Sequence, residues 1–243
     1  MRAAGRVVAI ALQQMRERAD VGVSLLELDQ VAREVLAEHG ASSPFLHYQP
    51  SFAHSPFPAV ICSSVNEAAL HGIPSQYRLA DGDLVSLDFG ATLNGWTGDS
   101  AISFTVGTAR AEDLRLIETA ERALAAGIAA ARPGGRLGDV SAAIGAIARE
   151  AGYGLHTDFG GHGVGRTMHE SPSVPNDGKA GRGMRLEPGL AIAIEPWFMA
   201  GGEDSYRVAE DGWTLVSGDG SRAAHVEHTV AITRNGPMIL TAL

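Results

Sequence analysis

The sequence predicts an α+β protein made of two pseudo-symmetric halves, each a helix pair followed by antiparallel strands, closed around a central cleft. Three observations point there. The order helix–helix–strands occurs twice along the 243 residues. Spaced residues recur with it: Arg78, Leu79, Gly82, Val85, Leu87 and Asp88 match Arg185, Leu186, Gly189, Ile192, Ile194 and Glu195 at an offset of 107. Gly22, Leu25, Glu27, Leu28, Glu38 and Gly40 match Gly134, Leu137, Asp139, Val140, Glu150 and Gly152 at an offset of 112. Finally, Val85–Phe104, "VSLDFGATLNGWTGDSAISF", reads as a hairpin with a carboxylate in each strand. The period is too long for a solenoid, so residues 1–243 form one domain with an internal repeat, about 1–107 and 108–243.

The first helix is marked by apolar residues at helical spacing from Val7 to about Arg18. Ser24-Leu25-Leu26-Glu27 is a capping box, and Leu25, Leu28, Val31, Val35 and Leu36 form the stripe of a second helix that Gly40 ends. Ser- and Pro-rich strands and loops fill the chain to Gly107. Leu114, Ile117, Leu124 and Ile128 mark a third helix, stopped by Pro133-Gly134-Gly135, and Leu137, Val140, Ile144, Ile147 and Ala148 mark a fourth, stopped by Gly152. Strands and loops occupy the remainder.

Bulk properties narrow the function. A formal net charge of −9 argues against a nucleic-acid or anionic-membrane partner and suits metal cations or substrates bearing a free amine. One cysteine, Cys62, excludes an intrachain disulfide framework and fits a reducing compartment. The apolar run Val7–Leu12 is too short for a membrane span and reads as no signal peptide. The expectation is a cytoplasmic protein.

The hairpin raises the chemical question. Asn94-Gly95 favours a two-residue loop, which sets Asp99 opposite Gly90 and diagonal to Asp88 on one face, with Val85, Leu87, Phe89, Ile102 and Phe104 on the other. Like charges within roughly 7–8 Å on a half-buried face repel unless a cation lies between them. The repeat superposes Asp88 on Glu195, in the strand "LAIAIEPWF", and Glu227 sits in a further strand, "HVEHTVAI". Four strand acids, two from each half, are what a cleft would collect; the ordinary alternative is that each pairs with an arginine or caps a turn. His162, in "FGGHGVGRTMHE", is flanked by glycines that admit close backbone approach and leave its imidazole as the functional side chain. Four carboxylates and an imidazole are mostly hard oxygen ligands that suit two bridged divalent cations and metal-assisted hydrolysis. No GxSxG elbow is present, and Cys62 lacks the surroundings of a nucleophile.

At these residues the chain resembles a known family. "CSSVNEAALHGIP", "LDFGATLNGWTGDSA", "GGHGVGRTMHESP", "AIEPW" and "HVEHT" together are similar to the type I methionine aminopeptidases of the pita-bread fold, over essentially the whole chain. The resemblance implies that Asp88, Asp99, His162, Glu195 and Glu227 ligate two divalent ions (Co, Mn, Fe(II) or Zn), with Asp88 bidentate and Glu227 bridging. It implies further that His71 contacts the scissile amide, that His169 stabilises the developing oxyanion and that Glu195 shuttles the proton of the attacking water. Without the long helical insertion of type II or an N-terminal zinc finger, the chain resembles the minimal bacterial form. The implied partner is the N-terminus of a nascent polypeptide, at the ribosome, and the implied state is a monomer. Phe57, Cys62 and Trp213 match positions that line the methionine pocket, whereas His54 and Met168 stand where the family shows aromatic residues. The rival readings are a proline-specific aminopeptidase or prolidase of the same fold, which usually carries an additional N-terminal domain, and an inactive peptide-binding relative, which typically loses metal ligands.

Overall fold

The structure, a computed structural model, describes residues 1–51 and 53–243. The first half opens with α1 (Arg2–Arg18) and α2 (Leu25–Glu38), followed by β1 (Ile61–Val65), β2 (Ala68–Leu70), β3 (Leu84–Leu93) and β4 (Trp96–Thr105). The second opens with α3 (Ala111–Ala130) and α4 (Leu137–Ala151), followed by β5 (Gly161–Gly163), β6 (Glu170–Val174), β7 (Ala191–Ile194) and β8 (Trp197–Met199). Then come β9 (Tyr206–Val208), β10 (Leu215–Ser217), β11 (Ala223–His225), β12 (His228–Thr233) and β13 (Gly236–Ile239).

Helix starts and stops follow the residues that signal them. The Ser24 hydroxyl accepts from the Glu27 amide while the Glu27 carboxylate accepts from the Ser24 amide, so two donors of the first turn of α2 are satisfied. Gly152 ends α4 with φ of 72°, a left-handed cap that costs a glycine little. α1 begins at Arg2, ahead of the apolar stripe. Gly5 lies in this first turn, and a Cβ there would lie 2.1 Å from the Leu240 carbonyl oxygen, so the backbone of α1 packs closely on the C-terminal segment.

Each half buries its own core. Val7, Val8, Met15, Leu28 and Val35 of the first helix pair pack on Val85, Leu87, Phe89 and Phe104 of β3 and β4. Leu116, Leu124, Val140 and Ile144 of the second pair pack on Ile192, Ile194, Val230 and Ile232 of β7 and β12. The β3–β4 register falls where the Asn94-Gly95 turn puts it, with Gly90 opposite Asp99 and Asp88 opposite Ala101. Backbone hydrogen bonds recur between the halves at the shifted numbers. Gly22 N–H donates to Leu79 O at 2.7 Å and Gly134 N–H to Leu186 O at 2.7 Å. Leu25 donates to Tyr77 and Leu137 to Met184, at 3.1 and 3.0 Å; Gly82 donates to Val106 and Gly189 to Ile232, at 2.8 and 2.9 Å.

The halves meet along a seam with the same symmetry. Ala101 and Glu227 exchange backbone hydrogen bonds of 3.4 and 3.0 Å. On one side Thr229 Oγ1 bonds the backbone of Asp99 (2.9 and 2.8 Å), and on the other Ser103 Oγ bonds the backbone of His225 (3.0 and 2.8 Å). Along this seam Asp99 corresponds to His225 and Ala101 to Glu227.

One strand expectation is corrected. "LAIAIEPWF" is not a single strand: β7 ends at Ile194 and β8 begins at Trp197, leaving Glu195 in the break. Glu227 likewise sits between β11 and β12. Pro196 has no N–H for a ladder, and each segment changes sheets at its break, β7 and β12 belonging to a five-stranded sheet and β8 and β11 to a two-stranded one. The two glutamates therefore project from the point where the sheets part.

Candidate metal centre and substrate cavity

The two breaks, the β3–β4 hairpin and the glycine loop converge. Asp88 comes from β3, Asp99 from β4, His162 from β5, and Glu195 and Glu227 from the breaks. His162 is brought in because its neighbours are glycines: a Cβ on Gly161 would lie 2.2 Å from Ala193 O, and one on Gly163 2.2 Å from Ser171 O. Ligating atoms of Asp99, His162 and Glu227 lie within 4.8 Å of one another, and His162 Nε2 is 3.5 Å from Glu195 Oε1. Among the described ion pairs none of the four acids meets an arginine or lysine; only histidines face them. Asp88 Oδ1, Asp99 Oδ1 and Glu227 Oε1 are buried without a hydrogen-bond partner. Orphaned buried carboxylate oxygens pointing at one another are costly unless cations take them, so the residues present fit a divalent metal centre.

The electrostatics sort the acids. Burial, then the charges of Asp99 and Glu195, push the Asp88 carboxyl well above its ordinary value. Burial raises Asp99 to about 7, with the His162 ring opposing. Burial and the Asp99 charge raise Glu227 well above the carboxylate range. Glu195 differs: burial pushes it up, but the imidazoles of His225, His162 and His169 outweigh this and hold it below the ordinary value. It is the carboxylate of the four that is held below its ordinary value on this chain's own charges.

A cavity of about 390 Å³ opens onto the nest. His71 and His169 both line it. His71 sits in the left-handed region at φ of 57°, a conformation that non-glycine residues hold only when the surroundings enforce it. Its ring stands edge-on to Phe159 at 5.4 Å and to Trp213 at 6.4 Å. The His169 ring lies 4.2 Å from that of His162 and 5.2 Å from that of Tyr48. Burial lowers His71 to about 4; burial and the neighbouring His162 lower His169 to about 4. Both are neutral at pH 7, when each can donate one N–H without bringing charge. An NMR titration of ¹⁵N-labelled histidines should show neither ring titrating between pH 5 and 8. A midpoint near 6.5 for either would contradict this assignment.

The far wall is apolar. Phe57, Cys62, Met168 and Trp213 form one buried cluster with Phe45, with Tyr48 against it. Trp213 meets Phe57 edge-on at 5.1 Å. Burial and the nearby carboxylates push the Cys62 thiol well up, which makes it a wall and not a nucleophile. His54 is exposed and is not part of the lining. Phe45, Tyr48 and Phe159 do line it, and the sequence marks them only as aromatic residues inside loops. His225 also belongs to the nest, and the alternation in "HVEHT" puts it on the face of Glu227.

Oxygen-rich ligands buried between two halves, with a substrate-sized cavity above them, define a metal-dependent hydrolase. A family model described as metallopeptidase family M24 matches residues 1–234. The methionine aminopeptidase 1 of Mycobacterium tuberculosis is 48% identical over 99% of this chain and 91% of its own length. The crystal structure of the methionine aminopeptidase from Thermotoga maritima superposes with a TM-score of 0.94 at 37% identity, covering 100% of this chain and 95% of that one. The prolidase from Pyrococcus furiosus shares the fold alone, at 23% identity and a TM-score of 0.77 over 63% of its chain. The chain belongs to metallopeptidase family M24, and its fold is the pita-bread architecture.

Proposed function

We propose that the protein is a cytoplasmic, monomeric methionyl aminopeptidase that removes the N-terminal methionine of nascent polypeptides when the second residue is small, with residues 1–243 as one catalytic domain. The observation that carries this reading is the four-carboxylate nest with His162 opening directly onto an apolar cavity walled by Phe57, Cys62, Met168 and Trp213. Asp88, Asp99, His162, Glu195 and Glu227 would hold two divalent ions, Co, Mn, Fe(II) or Zn. Bound there, the ions supply Lewis-acid polarisation of the scissile carbonyl and activation of water at neutral pH. The rest is the work of side chains. Ionised Glu195 accepts the proton of the attacking water and passes it to the departing amine. His71 donates to the scissile amide and orients it. His169, neutral, donates to the oxygen that gains charge in the transition state.

The wall sets the first residue. Phe57, Met168 and Trp213 leave room for a long, flexible, unbranched side chain, while His71 and the glycine loop crowd the second residue. Met-Gly, Met-Ala and Met-Ser peptides should be cleaved, and Met-Lys or Met-Phe peptides hardly at all. A methylene in such a pocket is worth about 1–3 kcal/mol, so norleucine should be accepted and leucine weakly. Met168 is softer than an aromatic ring, so Met168→Phe should sharpen discrimination against leucine without altering metal content. Release of methionine from Met-Ala-Ser, set against proline-containing peptides with and without added metal, tests the whole reading. Preferential cleavage at proline would replace it with a proline-specific activity.

A further inference from the structure

The nest holds a buried group that none of the roles above uses. His225 is 2% exposed, and its Nε2 has no hydrogen-bond partner. That nitrogen lies between two of the acids, 3.6 Å from Glu195 Oε2 and 3.9 Å from Glu227 Oε2. Both separations exceed the roughly 2.7–2.9 Å of a charge-assisted N–H···O bond.

The oxygens it faces are distinctive. Glu195 turns Oε1 towards His162 Nε2 at 3.5 Å and Oε2 towards His225. Glu227 keeps Oε1 buried and unpartnered, with Oε2 on the His225 side. Both Oε2 atoms therefore face His225, and a carboxylate oxygen, with two lone pairs, can accept from a donor even where it also holds a metal. His225 is the near donor to both. Its backbone cannot drift, because it pairs with Trp197 and is bonded by the Ser103 hydroxyl on both its N–H and its carbonyl. From 3.6 and 3.9 Å, a small change in the glutamate torsions would bring either oxygen within hydrogen-bond reach. The seam adds a reason for the residue type: His225 stands where the other half has Asp99, and a fifth acid there would only add repulsion.

We propose that His225 is a positioning residue, whose Nε2–H donates to the Oε2 atoms of Glu195 and Glu227 and holds the two carboxylates in the orientation that binds metal. The inference rests on the metal-centre reading. Partners of this kind, lying behind the ligands, typically change metal affinity by about 10–100-fold.

The test is titration of the metal-free protein with Mn(II). His225→Leu, which fills the space without an N–H, should bind Mn(II) about 10–100-fold more weakly. His225→Gln, whose amide can donate to the same oxygens, should restore most of the affinity. On Zn(II)-loaded wild type with ¹⁵N-labelled histidine, the Nε2 proton of His225 should persist and move downfield, a readout that holds even if the leucine variant does not fold. Wild-type affinity in a folded His225→Leu would overturn the proposal, as would loss of the Nε2 proton on Zn(II) loading, which would make His225 a ligand itself. Wild type that binds no metal at all would sink the metal-centre reading together with this one.

Discussion

Glu195→Gln should lower kcat by about 10²–10⁴-fold, the range expected when a general acid–base is removed. The substitution keeps size and shape and removes only the charge and the proton-accepting capacity. Glu195 is singled out because the imidazoles of His225 and His162 hold it below its ordinary value while burial drives Asp88, Asp99 and Glu227 towards their protonated forms. Environments that push neighbouring carboxyls apart mark the acid and base roles. Metal content measured alongside kcat separates a proton-transfer defect from a lost ion. His169→Ala is the companion experiment: kcat should fall with metal content nearly unchanged, because His169 lines the cavity and is assigned to the substrate. If His169→Ala lost an ion and His162→Ala kept its full complement, the two assignments would be exchanged.

Chelation should abolish activity and lower thermal stability together, and Co(II), Mn(II) or Fe(II) should restore both. A ligand at 100-fold over its Kd adds about 2.7 kcal/mol to the native state, equivalent to several degrees in a chain of this size. The metal-free protein should also show a diagnostic pH dependence. Asp99 is raised to about 7, and Asp88 and Glu227 are raised as well. A carboxyl raised on folding binds its proton more tightly in the native state, so its contribution is complete below the unfolded value of about 4. That contribution is lost as pH climbs through about 7. Below about 6.5 the lowered rings of His71 and His169 add stability as pH rises and offset that loss, so the Tm of the metal-free protein should fall chiefly between pH 6.5 and pH 8, and loading metal should remove most of that fall. Full activity after verified metal removal, or a metal-free Tm that rises across the same interval, would contradict the metal-centre reading.

The parts of the structure legible in the sequence are those where local chemistry decides. The Ser24–Glu27 box, the Gly152 cap and the Asn94-Gly95 turn each act within a few residues, and each sits where the sequence puts it. The start of α1 was not legible, because its first turn lacks large apolar residues and packs through Gly5 on Leu240, far along the chain. Nor were the breaks at Glu195 and Glu227: an apolar run shows that residues are buried, not which of two sheets takes them. His54 illustrates the converse, since a position in a motif does not say whether its loop turns the side chain inward. His225 was legible in principle, for period 2 sets it beside Glu227, but its meaning required seeing Glu195 arrive from another strand.

The seam carries a consequence about direction. A site with perfect two-fold symmetry would accept a peptide equally well running either way, and could not tell its amine end from its carboxyl end. Here the backbone correspondence across Ala101 and Glu227 is close, yet the side chains break it: alanine answers glutamate, and Asp99 answers His225. The His162 and His169 rings pack together on the second half alone. Negative charge is thus spread across both halves while the neighbouring pair of imidazoles stands on one. That lopsidedness gives the chamber a vector, and a vector is what an enzyme needs in order to count residues from one end of a chain.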